Sequence, residues 1–296
     1  MNAHRSYARK ASFRRRLVAA GPLAVLLATA GLAYAVPING VVLTGGGGTI
    51  WDARVDETAW CIEDQPSIFT PVTDGETTTR GDAFDNGLML LVDGKPFDDP
   101  DGDGRRKGQT LRVGPDKLRG LKISETARAL QDSPTLRALY QFKNPQNHRV
   151  SRTVTVDSNL GSDGFTRIEQ TSNGDQELTE SDRWIVTSDA SDPDSSDPPV
   201  THVLSGKQAG TSVSEVRETP GEACEFGDFS DALIVDYEVS VPADSKRYLM
   251  VFAEMNDDSN AGAVAEAAKF DDKGLSNKLL KGLSDTVQNR ILNWSL

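Results

Sequence analysis

The chain has 296 residues, of which 44 are acidic and 32 are basic, and its formal net charge is −12. A field of this sign repels nucleic acid and anionic lipid, so the composition argues against nucleic-acid binding as a main role. Outside the first residues the only histidines are His148 and His202, which excludes a three-histidine zinc site.

Residues 1–35 have the pattern of an export signal. Six basic residues precede the apolar run 17–32, and Ala33-Tyr-Ala35 supplies the small residues of a cleavage site. We therefore predict a signal peptide over 1–35 and a secreted protein, with Sec and twin-arginine export both open. No later stretch is apolar enough to span a membrane. The remaining chain keeps 26 basic residues against 44 acids, a net charge of −18.

Short apolar or alternating runs follow, and Gly, Asn, Asp and Pro punctuate them as turns do in antiparallel sheets. The predicted strands are 36–43, 87–92, 109–113, 118–130, 136–143, 149–157, 200–204, 212–218, 232–241 and 246–254. The run Gly45–Gly48 lacks the Lys-Ser/Thr of a phosphate-binding loop, so it predicts a turn between strands.

The pattern predicts an all-β protein: a large antiparallel β-sandwich over 36–260, with a C-terminal helical segment over 261–296 packed on it. Within 275–292, apolar residues recur at helical spacing, and Ser276 is a candidate cap. Two smaller sandwiches would fit the length equally. We favour one, because Cys61 and Cys224 would otherwise link separate domains.

The two cysteines lie far apart in a chain predicted to enter an oxidising compartment. A disulfide between Cys61 and Cys224 would stabilise the fold by about 4–5 kcal/mol in the chain-entropy model. The alternative is two unpaired, buried thiols. Neither cysteine has a histidine nearby in sequence, which argues against a catalytic thiol.

The most acidic loop matches the opening of a calcium-binding loop. Asp99, Asp101 and Asp103 occupy positions one, three and five, and Gly104 occupies the turn position. Arg105 occupies position seven, where its backbone carbonyl would be a further ligand. Position twelve is Thr110 instead of Glu, and basic residues follow the loop, so a solvated turn is the alternative. Any calcium here is expected to be structural.

Asp182-Arg183-Trp184 is the candidate ligand-binding cluster, because a tryptophan beside charged groups can hold a sugar ring. An Asp–Arg pair beside a buried tryptophan is more often a structural brace at the start of a strand, which is the alternative. With 44 acids, no carboxylate pair stands out for glycosidase chemistry, and there is no G-x-S-x-G motif.

Five segments together resemble a group of exported bacterial β-sandwich proteins that has no assigned activity. They are 142–145 (FKNP), 159–163 (NLGSD), 172–175 (SNGD), 182–187 (DRWIVT) and 292–294 (LNW). The resemblance implies the fold and export. A more distant analogy is to galactose mutarotase-type sandwiches, which use two histidines and a glutamate, but neither histidine of this chain lies in that family's motif.

We therefore predict a non-catalytic exported sandwich, acting as a surface, matrix or carbohydrate-binding module whose partner is an extracellular glycan or a cell-surface component. The alternative is a mutarotase-, lyase- or glycosidase-like enzyme with a carboxylate pair facing a cleft. A binding module of the stacking kind should expose aromatic residues, such as Trp51, Trp60 or Trp184, together on one face.

Overall fold

In the computed structural model, the described residues form seventeen strands in two antiparallel sheets. The structure describes residues 34–37, 39–56, 68–97, 103–162, 165–189, 197–219, 232–257, 259–271 and 275–296. The strands are β1 (Tyr34–Pro37), β2 (Asn39–Thr44), β3 (Ile50–Asp56), β4 (Ile68–Glu76), β5 (Phe84–Val92), β6 (Lys95–Pro96), β7 (Asp103–Lys107), β8 (Thr110–Leu118), β9 (Leu121–Ala129), β10 (Thr135–Lys143), β11 (Val150–Leu160), β12 (Thr166–Thr171), β13 (Trp184–Asp189), β14 (Val200–Val203), β15 (Glu215–Thr219), β16 (Ala232–Val241) and β17 (Lys246–Met255).

One sheet has nine strands in the order β1-β7-β8-β9-β10-β17-β14-β13-β12. The other has eight, in the order β15-β16-β11-β5-β4-β3-β2, with β6 paired to β5. The predicted fold class, a large antiparallel sandwich with a short C-terminal helical segment, is confirmed. Its core is shared by both sheets, so the alternative of two smaller sandwiches is wrong.

Side-chain alternation explains which strands lie in the middle. In β16, Val235, Tyr237 and Val239 face the core between the sheets, while the residues between them face outward. In β17, Leu249 and Val251 face this core, but Met250 and Phe252 belong to a second apolar cluster on the opposite face of the nine-stranded sheet. A strand buried on both faces must be apolar throughout, and β17 nearly is.

The C-terminal segment covers that second cluster. It comprises α1 (Asn260–Ala267), a 3-10 turn (Ala268–Asp271), irregular turns and α2 (Asp285–Gln288). The prediction of a helix over 275–292 is wrong, since only four of those residues are α-helical. Gly282 has a φ of +82°, which ends any helix, and Ser284 starts a new one by accepting from the N–H of Val287. The apolar spacing still serves packing, because Leu279 and Ile291 are buried in the cluster.

The last residues complete the nine-stranded sheet. Beyond the end of β14, Tyr248 donates its N–H to the carbonyl of Arg290 (3.0 Å), and its carbonyl accepts from the N–H of Leu292 (2.8 Å). Asn293 then takes the place of a strand with its side chain: Oδ1 accepts from the N–H of Met250 (3.0 Å), and Nδ2 donates to the carbonyl of Met250 (2.8 Å). This side chain satisfies buried backbone groups that have no strand neighbour.

Trp294 fixes the same tail from the other side. Its indole Nε1 donates to the carbonyl of Met250 (2.7 Å), and its ring packs edge-on against Phe252. A Cβ at position 206 would overlap the Trp294 ring, so only glycine fits there. The 292–294 segment of the resemblance is therefore a structural lock.

We expect Asn293→Ala to lower the free energy of unfolding by about 3 kcal/mol, because it removes three buried hydrogen bonds and leaves the N–H of Met250 without its acceptor. Urea unfolding followed by circular dichroism measures this. Asn289→Ala is the matched control: Asn289 is exposed in the same segment, and its change should stay within about 0.5 kcal/mol. Equal effects of the two substitutions would contradict the lock.

Candidate anion-binding face

Four lysines lie side by side across four neighbouring strands of the nine-stranded sheet. Lys117 is directly opposite Lys122, Lys122 is opposite Lys143, and Lys143 is opposite Lys246. Residues opposite each other in an antiparallel pair share one face, and here it is the outer face, because the neighbouring Leu121, Phe142 and Leu249 point into the core. With strands about 4.8 Å apart, the row is about 14 Å long.

Tight turns hold this row in register. Lys117 and Lys122 flank a two-residue hairpin turn in which Arg119 and Gly120 both have positive φ, +49° and +85°. At the other two strands, the buried Asn144 donates its amide to the carbonyls of His148 (2.7 Å) and Val241 (3.0 Å). Its backbone N–H reaches the carbonyl of Ser245 (3.0 Å), which aligns Lys143 with Lys246.

Three arginines add further positive charge to this outer face. Arg105 lies opposite Arg112 in register, and both side chains are exposed. Nη2 of Arg112 donates to the hydroxyl of Ser124 (3.3 Å). Burial raises the pKa of Tyr248, and the positive charges of Arg290 and Arg112 act against that rise, so both guanidinium groups are near its phenol. We call the set Lys117, Lys122, Lys143, Lys246, Arg105, Arg112 and Arg290 the cationic face.

Neutral hydrogen-bonding side chains lie between these charges. Ser124 is opposite Gln141, and Gln141 is opposite Tyr248, whose hydroxyl is 3.4 Å from the Gln141 Oε1. An open groove of about 470 Å³ borders the same end of the sheet and is lined by Arg247, Thr286, Asn289, Arg290, Ile291 and Leu292. Ser124 (1% exposed) and Tyr248 (7% exposed) are buried, so the donors available at the surface are mainly the lysines and arginines.

Among the described residues, the cationic face has no counter-charge. Within the part of the chain that the structure describes, no carboxylate pairs with its seven groups at up to 4.0 Å. Like charges directly opposite each other across strands are destabilising. In a chain with a net charge of −12, such a row costs stability that a bound polyanion would recover.

Carboxylates gather on the outer face of the other sheet. Asp236 and Glu238 of β16 lie opposite Thr155 and Thr153, which donate to them at 2.6 and 2.8 Å. Asp52 and Asp74 form a directly opposed carboxylate pair on β3 and β4. Burial raises the pKa of Asp74, and the negative charge of Asp52 raises it further.

The three residues of the predicted ligand cluster serve three separate contacts. Asp182 is buried and accepts from the N–H and hydroxyl of Thr179 (both 2.9 Å). Nε of Arg183 donates to Asp271 (3.1 Å), which ties β13 to the C-terminal segment. Trp184 packs in the second apolar cluster and is 2% exposed. These contacts account for all three residues as a brace, and their ligand role stays a prediction.

The expectation of a shared exposed tryptophan face is wrong for two of its members. Trp51 is fully buried in the main core, and Trp184 lies under the C-terminal segment. Trp60 lies outside the described residues. These two tryptophans are therefore not exposed for stacking against a sugar ring.

The predicted calcium loop and disulfide fall largely outside the described residues, as do Asp99, Asp101, Cys61 and Cys224. Asp103 begins β7, and Arg105 is part of the cationic face. In the described ranges no group of three or more His, Cys, Asp or Glu side chains could hold a metal ion. None of the helices in those ranges is long and apolar enough to cross a membrane.

The two histidines lie in opposite environments. His148 is exposed on a turn, whereas His202 is buried between the sheets, with Nε2 3.0 Å from the hydroxyl of Thr187 and its ring edge-on to Phe84. Burial lowers the pKa of His202 to about 3. A buried neutral histidine and an exposed one do not form a sugar-binding pair.

No protein-family model and no curated protein matches this sequence. Among solved structures, the chain is similar to a protein assigned as a kojibiose phosphorylase from the human microbiome (10% identity, TM-score 0.38, covering 80% of this chain and 34% of that one). It is also similar to a polysaccharide lyase (11%, 0.37, 79% and 35%) and to a protein assigned as an aldose 1-epimerase from Klebsiella pneumoniae (10%, 0.38, 82% and 97%).

The chain thus spans about a third of the length of the first two proteins and nearly all of the third. At this identity and TM-score, no residue role passes from these proteins to this chain.

His202 makes stability fall in acid. The unfolded histidine binds a proton below about pH 6.5, whereas the folded one stays neutral to about pH 3. Stability should therefore drop as pH falls through this window, by up to about 1.4 kcal/mol per pH unit. Urea unfolding at several pH values between about 3 and 6.5 measures this dependence of the unfolding free energy on pH. His202→Leu should remove the part of the slope that is due to His202. His148→Gln should leave the slope unchanged, and an unchanged slope in His202→Leu would refute the assignment.

Proposed function

We propose that this protein is a non-catalytic exported β-sandwich that binds an acidic polysaccharide through its cationic face. The observation that carries the proposal is the row of four lysines in register, without a carboxylate partner in the described part of the chain. Export rests on the predicted signal peptide over 1–35, and the loop at Asp99–Asp103 remains a candidate for structural calcium.

The chemistry of the face suits a carboxylated sugar chain. Ammonium and guanidinium groups bind carboxylates through charge-assisted hydrogen bonds. The half-buried Gln141 lies between the charges and can offer its amide to a sugar hydroxyl group. A row about 14 Å long is the length of a few sugar units. A neutral glycan would leave the repulsion between the lysines in place.

Binding should be electrostatic and therefore sensitive to salt. We expect polygalacturonate to bind the full chain at low ionic strength, and Lys122→Gln/Lys143→Gln/Lys246→Gln to weaken binding about tenfold, from about 0.5 kcal/mol per exposed pair. Isothermal titration calorimetry over a series of salt concentrations measures both effects.

Two controls make the test specific. Lys95→Gln/Lys207→Gln/Lys278→Gln removes the same charge from exposed lysines outside the cationic face and should leave the affinity near that of the wild type. Fully methyl-esterified polygalacturonate has the same backbone without the carboxylates and should not bind. Equal weakening by both triple variants, or equal binding of the ester, would reject the proposal.

A carbohydrate-active enzyme is the second candidate, and one observation favours it. The paired Asp52 and Asp74 each have a carboxylate oxygen that is buried without a hydrogen-bond partner among the described residues. The raised pKa of Asp74 is what a general acid needs. The test is release of reducing ends or unsaturated sugars from a glycan by the wild type. Loss of this release in Asp74→Asn, with release retained in the exposed control Asp132→Asn, would establish the activity. No release from a panel of glycans would exclude it.

A further inference from the structure

Arg137 is a buried cation that has no counter-charge among the described residues. It projects from β10 on the outer face of the nine-stranded sheet and is 3% exposed beneath the C-terminal segment. Nη1 donates to the carbonyl of Leu279 (2.7 Å) and Nη2 to the carbonyl of Lys281 (3.2 Å). Both acceptors are neutral. Its Nε is buried and has no hydrogen-bond partner among the described residues.

A second arginine lies beside it. Arg128 of β9 is directly opposite Arg137 in the register, so both side chains leave the sheet on the same face. Arg128 is half-buried, and a side chain at Gly282 would overlap its guanidinium group. No carboxylate in the described ranges pairs with either arginine at up to 4.0 Å.

This arrangement is costly as it stands. A buried charge without compensation is strongly destabilising, and like charges opposite each other across strands repel. Burial, and to a smaller extent the positive charge of Arg128, lower the pKa of Arg137 to about 9. Arg137 therefore still carries its charge at neutral pH. Loss of the proton therefore does not remove the cost, whereas a negative charge between the two groups would.

We propose that a small inorganic anion of the chloride class binds between Arg128 and Arg137, under the turn at Leu279–Gly282. The anion accepts from the free Nε–H of Arg137 and from the guanidinium group of Arg128. Arg137 also holds the carbonyls of Leu279 and Lys281, so the anion ties the C-terminal segment to the sheet. This site is separate from the cationic face and does not depend on the proposed function.

Thermal unfolding of the full chain tests the site. Sodium chloride replaces sodium MES at constant ionic strength, because the MES anion is too bulky for a buried site. We expect the Tm of the wild type to rise saturably, by about 3 °C once chloride exceeds its Kd tenfold. Arg128→Gln keeps Arg137 in place and should lose the saturable rise.

Two control variants should keep that rise: Arg149→Gln, an exposed arginine elsewhere, and the triple lysine variant of the cationic face. Loss of the rise in the lysine variant would assign the effect to the cationic face and overturn this proposal. So would an unchanged rise in Arg128→Gln or no saturable rise in the wild type. Crystals grown in sodium bromide provide a second readout: anomalous scattering should peak beside Nε of Arg137, and the absence of a peak would also overturn it.

Discussion

The register of β8, β9, β10 and β17 is the constraint on which the rest of the structure depends. It places Leu121, Phe142 and Leu249 in the core between the sheets, and the same register places the lysines together on the opposite face. A slip of one residue in any of these strands would turn its apolar residues outward and its lysine inward. Core packing thus selects the register, and the cationic face follows from it.

Turns and the C-terminal tail stabilise this register at its ends. Asn144 joins the turn after β10 to the turn before β17, and Asn293 occupies the backbone groups of β17 that have no strand neighbour. Trp294 and the apolar residues of the tail cover the face that β17 presents to the second cluster. The segments that resemble other exported sandwiches contain Asn144, Asp182, Asn293 and Trp294, and each of these side chains has a structural contact. These residues therefore stabilise the fold, which is one of the two properties that the resemblance implies.

The sequence predicted local features well and long-range ones poorly. Alternation in 232–241 and the apolar run in 246–254 are local patterns, and both became strands within one or two residues of the prediction. The prediction of a helix over 275–292 was wrong because the apolar residues are spaced for burial against a sheet. Gly282, with its positive φ, interrupts helical geometry, and Ser284 caps a short helix that begins after it. Net charge is a property of the whole chain and does not reveal a local row of lysines. Lys117 and Lys246 are 129 positions apart in the printed sequence, and only strand pairing brings them into one row.

The central claim is that the row of lysines binds an acidic polysaccharide, and lysine footprinting tests it most directly. The full chain is acetylated briefly with and without polygalacturonate, and the modified lysines are located by mass spectrometry. We expect polygalacturonate to protect Lys117, Lys122, Lys143 and Lys246, while Lys95, Lys207 and Lys278 react as before. Uniform protection of all exposed lysines, or no protection of the row, would contradict it.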